Sequence, residues 1–177
     1  KLVAYVSVEL AFLSLAVRQG VLEKLERDHP RLGLGEHNLM LTATHTHSAP
    51  GGYSHHLLYN LTIPGYRPDV VDAVVTAIVD ALVEGHAALQ PGRVGVAQGD
   101  IPVDEHVAFN RSLEAYNRNT DVTPLAPGEE AKAVNRTMTV LRFDDLAGTP
   151  LGMFSWFGVH VTSLHSDNKM IDPDNKG

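Results

Sequence analysis

A run over residues 2–8 that is apolar but for Ser7, followed at once by apolar residues at helical spacing, sets the main constraint on this chain. The run has the length and β-branched content of a buried strand. Over residues 10–28 the period lengthens: Leu10, Leu13, Val17, Val21, Leu22 and Leu25 share one helical face, with Arg18, Glu23, Lys24 and Glu26 elsewhere. His29-Pro30 ends that helix, because the residue before a proline is pushed out of the α region. Residues 38–44 form a second short β-type run. Residues 68–89 read as the clearest helix, with Pro68 in the first turn and Val71, Val74, Val75, Ile78, Leu82 and Leu89 as its stripe. Residues 93–98 return as a strand, and residues 136–143 and 150–156 as the arms of a hairpin around the turn at 144–149. This order predicts an α/β chain: a mixed β-sheet sandwich with flanking helices, within a single domain. Residues 100–132 are polar, without sustained period, and a loop of that length is usually functional.

Charge and composition narrow the function classes. The formal net charge is −7 over 177 residues and no Lys/Arg cluster reverses it locally, which argues against a nucleic-acid partner. Cysteine is absent, so thiolate catalysis, Cys-ligated zinc and disulfides are excluded together. No run reaches the roughly 18–20 apolar residues of a membrane span. Residues 1–16 join a positive residue to an apolar run as a signal peptide does. Glu9 interrupts that run, however, and no Ala-x-Ala pattern follows. The segment therefore reads as a strand entering a helix, and a start inside a strand implies residues upstream.

Ten histidines are the distinctive feature of the composition. His45-Thr46-His47 lies where the second β-run gives way to Ser48-Ala49-Pro50-Gly51-Gly52, which can only be a loop. Neutral imidazole is a common zinc ligand, and in an extended segment the side chains at i and i+2 share a face. A pair of histidines bonded to loop backbone fits the same pattern. His160 stands in a matching context, after the apolar stretch 153–159, and two such ends in neighbouring strands would bring His45 and His160 together. Arg111, inside the long polar stretch, is either a surface ion pair or a planar fork that orients a substrate oxygen. Ser48 and Ser163 sit beside candidate histidines, but no Gly-x-Ser-x-Gly elbow accompanies them. They read as groups that orient rings or loop backbone. The remaining histidines, His55-His56 among them, are read as ordinary surface or packing residues.

The run from Leu41 through Thr44-His45-Thr46-His47-Ser48-Ala49-Pro50-Gly51-Gly52 to Tyr53 resembles the hallmark of the neutral, non-lysosomal ceramidases. Three further stretches agree in order: Asn110-Arg111-Ser112 with Tyr116 and Asn119, then Trp156-Phe157 through His160 to Thr162-Ser163, and Asp174-Asn175-Lys176-Gly177. The resemblance implies a zinc-dependent amidase that hydrolyses ceramide to sphingosine and a free fatty acid at membrane surfaces, secreted or facing the cell exterior. It implies His45 and His160 as zinc ligands, and His47 and Arg111 as residues that contact the substrate and take part in catalysis. A glutamate and a tyrosine ligand, and a serine nucleophile, are expected beyond residue 177. The chain is thus read as an incomplete catalytic domain that pairs with the remainder of the same enzyme and is inactive alone. Ala49 stands where the family usually has glycine, which bears on fine substrate preference. Two other readings share these residues: a zinc hydrolase of another N-acyl lipid, and an inactive, lipid-binding homologue.

Overall fold

The computed structural model describes residues 1–176; Gly177, the last residue of the terminal motif, lies outside the described residues. The chain forms two compact units, one made of residues 1–89 and 161–177, the other of residues 90–160.

The first unit is built from β1 (Ala4–Val8), α1 (Leu15–Asp28), β2 (Leu39–Ala43) and α2 (Pro68–Ala87). β1 and β2 pair in parallel, Ala4 opposite Leu39 and Val8 opposite Ala43. Helix α1 begins later than its apolar spacing suggests. Ser14 caps it by accepting from the Val17 amide, and its hydroxyl donates to the Tyr53 carbonyl at 2.5 Å. Leu10 is therefore buried but not helical. At the other end His29 closes the helix ahead of Pro30, as the sequence indicates. Helix α2 starts on Pro68 at a position whose amide needs no partner. The core joins Val17, Val21 and Leu25 of α1 to Val75, Ile78, Val79 and Leu82 of α2, with Leu39 and Tyr53. Gly20 is where the helices meet closely: a Cβ there would stand 2.8 Å from Val75 Cγ2.

The second unit holds β3 (Gly92–Asp100), the short α3 (Leu113–Asn117), β4 (Thr137–Asp145) and β5 (Pro150–Trp156). Its strands form one antiparallel sheet in the order β3-β4-β5. The register places Val94, Val96, Leu141, Phe143, Phe154 and Trp156 on one face. Between β3 and β4 the long polar stretch is organised by Arg136, whose guanidinium donates to the carbonyls of Ile101 (2.9 Å), Pro102 and Ala108. The α/β class holds, with parallel and antiparallel pairings in two separate small sheets.

Candidate metal centre

The C-terminal ends of parallel strands are where α/β folds place their chemistry, and His45 lies just beyond the end of β2. Backbone bonds carry the chain out of the strand: the Thr44 amide donates to the Val8 carbonyl at 3.0 Å and the His45 amide to Leu10 at 2.9 Å. His45 is not extended. Its φ is 70°, in the left-handed region, a conformation uncommon for residues with a Cβ and often found at functional sites. Its ring Nδ1 lies 2.5 Å from the Ala11 carbonyl. A carbonyl can only accept, so in the neutral ring Nδ1 carries the proton and Nε2 keeps its lone pair.

That lone pair is directed towards a second imidazole. His47 Nε2 lies 3.4 Å from His45 Nε2, with the rings edge to face at 4.9 Å. His160 completes the group: one ligand nitrogen from each of His45, His47 and His160 lies within 4.8 Å of the others. His160 leads by its peptide bond into Val161, which is 1% exposed in the first unit. Two nitrogens bound to one tetrahedral zinc at their usual length stand about 3.3 Å apart. The observed 3.4 Å between His45 and His47 matches that spacing, and the three histidines together could form a metal site.

The convergence comes about differently from the strand-neighbour expectation. β2 pairs with β1 and β5 with β4, so the strands preceding His45 and His160 are not neighbours in one sheet. Loops bring the rings together. Nor does the pair depend on extended backbone, since the left-handed turn at His45 redirects it. The resemblance assigned two ligands, and the structure brings a third imidazole into the same reach. Arg111 is exposed in the second unit, ahead of α3, where the Ser112 amide donates to Asn110 Oδ1 at 2.8 Å.

The loop after the histidines returns to the helical core. Tyr53 is buried against Phe12, with ring centroids 5.0 Å apart, and burial pushes its phenol pKa up. Gly52 has φ 89°, and a Cβ there would lie 2.7 Å from Arg67 Cγ and 3.0 Å from the Gly65 carbonyl. Gly52→Ala is therefore expected to destabilise the protein by about 1–3 kcal/mol through backbone strain and overlap. Denaturant midpoints of the two proteins measure it, and equal midpoints would refute the strain.

Sequence reasoning quoted Thr46 and Asp174 within motifs but gave neither a role in holding this loop. Thr46 is 1% exposed, and its hydroxyl donates to the Asp172 carbonyl at 2.6 Å. The Asp174 carboxylate accepts from the Ser163 and Leu164 amides, each at 3.0 Å. The Leu164 amide first, then those of Asn175 and Ser163, holds that carboxyl below its ordinary range. The Asp-Pro-Asp spacing is a turn signal that would have pointed there. Ser48 and Ser163 are held here through their backbone: the Ser48 amide donates to Thr46 Oγ1 at 3.2 Å and the Ser163 amide to Asp174 Oδ1 at 3.0 Å, while the Ser48 hydroxyl accepts from Asn168 Nδ2 at 3.0 Å. His55 stacks on Tyr66 at 4.6 Å. His29 and His86 line a separate cleft with Asp28 and Arg31.

A family model described as neutral/alkaline non-lysosomal ceramidase, N-terminal, matches residues 1–177. The chain belongs to that family. A neutral ceramidase of Pseudomonas aeruginosa is 39% identical over 173 residues, which is 98% of this chain and 24% of that relative. Neutral ceramidase A of Dictyostelium discoideum is 35% identical over 178 residues, covering 98% of this chain and 23% of that relative. The crystal structure of the Pseudomonas aeruginosa neutral ceramidase superposes with a TM-score of 0.89 over 99% of this chain and 26% of that one. The chain thus spans about a quarter of the length of the relatives it matches. The fold described above is the fold of the family over this region.

Proposed function

We propose that this chain is the metal-holding N-terminal part of an amidase that cleaves the N-acyl amide bond of ceramide, consuming water and releasing sphingosine and a free fatty acid. The observation that carries the reading is the convergence of His45, His47 and His160 in a chain of the ceramidase family. Zinc is among the ions that suit a neutral imidazole donor set, and it is the one the family resemblance implies. When bound, such an ion supplies Lewis-acid polarisation of the amide carbonyl.

In this reading His45 and His160 hold the ion. The Ala11 carbonyl keeps the His45 ring in the ligating tautomer, in the way that outer hydrogen bonds orient metal-bound histidines. His47 donates to the substrate oxygen on which charge develops. Arg111 takes the role the family resemblance implies, recognition of a substrate oxygen through its planar fork of donors. The remaining ligands and the nucleophile come from the rest of the same enzyme. The apolar face of the β3-β4-β5 sheet, with Val94 64% and Val96 73% exposed, suits burial against that remainder. Among the described residues no helix is long and apolar enough to cross a membrane. We assign the enzyme to the outside of the cell, acting on lipid at membrane surfaces.

The 3.4 Å spacing between His45 and His47 favours one second reading, in which all three imidazoles ligate. His47→Ala separates the two in the full-length protein. Metal content kept while turnover falls assigns His47 to the substrate, and metal loss assigns it to the ion. The substrate is tested with fluorescent ceramide beside a panel of other N-acyl lipids. Preference for ceramide is expected. Faster release of fatty acid from another N-acyl lipid would reassign the substrate, and metal binding without any hydrolysis would make the protein a lipid-binding homologue.

A further inference from the structure

His160 and the His45/His47 pair are separated by more than a hundred residues, yet their nitrogens gather in one place. Within the first unit a short segment helps to link the two sides. The buried Thr46, between the two histidines of the pair, donates to the Asp172 carbonyl at 2.6 Å. The Asp172 amide donates back to the Ser48 carbonyl at 3.0 Å, so residues 46 and 48 hold residue 172 from both sides. Pro173 follows, which fixes its own φ and restricts Asp172. The Asp172 carboxylate then accepts from the Asp174 amide at 2.7 Å. Asp174 in turn grips the chain just past His160, accepting from the Ser163 and Leu164 amides with one oxygen each. Its φ of 59° lies in the left-handed region, which aspartate adopts more readily than most residues with a Cβ.

Each of these bonds ends on backbone, so the segment sets where the chain runs rather than filling space. A metal site depends on such placement, because its ligands must reach one point at fixed distances. We infer that Asp174 and Thr46 are positioning residues that fix the separation of His160 from the His45/His47 pair and thereby set the affinity of the site for a divalent metal. The inference rests on the metal-site reading above. It gives a role to the terminal Asp-Asn-Lys motif, which the proposed chemistry leaves unused.

The test uses the full-length protein and zinc alone, with the dissociation constant measured by competition against a chromophoric chelator. Asp174→Asn keeps the shape and tolerates a positive φ, but its amide nitrogen would face the Leu164 N–H and lose an acceptor. Thr46→Val keeps the shape and removes the hydroxyl, while Thr46→Ser keeps the hydroxyl. Asp174→Asn and Thr46→Val are expected to weaken zinc binding about 10–100-fold, with Thr46→Ser near the native value. Native affinity in folded Asp174→Asn and Thr46→Val overturns the inference. So does failure of both to fold without metal, which would make the segment a support of the fold alone. A parallel loss in Thr46→Ser overturns the role of the hydroxyl. A native protein that takes up no zinc overturns the metal-site reading itself, an outcome distinct from a native protein that binds no more tightly than its variants.

Discussion

In the full-length protein, His45→Ala is expected to abolish metal binding and to lower amide hydrolysis about a thousandfold or more, because Lewis-acid stabilisation is worth several kcal/mol and each 1.36 kcal/mol is tenfold in rate. The fold survives the change. His45 is exposed, and the hydrogen bond it loses to the Ala11 carbonyl contributes about 1 kcal/mol. The left-handed backbone at this position already carries a Cβ, so alanine adds no strain. The measurement pairs metal content, by elemental analysis, with fatty-acid release from ceramide. His160→Ala should behave in the same way, since it removes a ligand from the other side of the group. Full metal content and full activity in both variants would end the metal-site reading, and with it the amidase reading built on it.

Leu25→Ala moves stability instead of chemistry. Leu25 is 1% exposed and sits in the cluster where α1 meets α2. Truncating a leucine in such a place costs about 2–5 kcal/mol, the transfer free energy of the lost methyls plus the cavity they leave. A typical domain is stable by only about 5–15 kcal/mol, so this single change removes a large fraction of the total. The urea midpoint of the full-length protein should fall well below that of Glu26→Ala, an exposed neighbour on the same helix whose loss is expected to stay within about 0.5 kcal/mol. Metal affinity per folded molecule should not change. Leu25 lies in the last turns of α1, whereas His45 bonds to Leu10 and Ala11 ahead of the helix. Equal midpoints for the two variants would mean that the α1-α2 contact is not the core described here.

Much of this architecture was legible before any coordinates. Pro68 and the valine stripe behind it announced α2, and Pro30 announced the end of α1, because proline has a steric meaning that no tertiary contact reverses. The start of α1 was harder to read. Leu10 fits the apolar period, but capping is decided by a hydroxyl in the right place, and Ser14 with its bond to the Tyr53 carbonyl outweighed one turn of spacing. The hairpin of β4 and β5 was readable from its alternating residues and turn, but the extension of β4 to Asp145 and the register shift between Phe143 and Asp144 were not.

The candidate site divides along the same line. Local order in the sequence determined that His45 and His47 would emerge together from a buried strand into a loop, since strand period and the Pro-Gly-Gly turn act over a few residues. Only the tertiary structure decided that His160 joins them, that His45 turns left-handed, and that Asp172 and Asp174 tie the two stretches of chain. The approach of His160 to His45 and the bond of Thr46 to Asp172 join residues more than a hundred positions apart, and such pairings depend on core burial in the folded chain, a quantity that neighbouring letters do not encode.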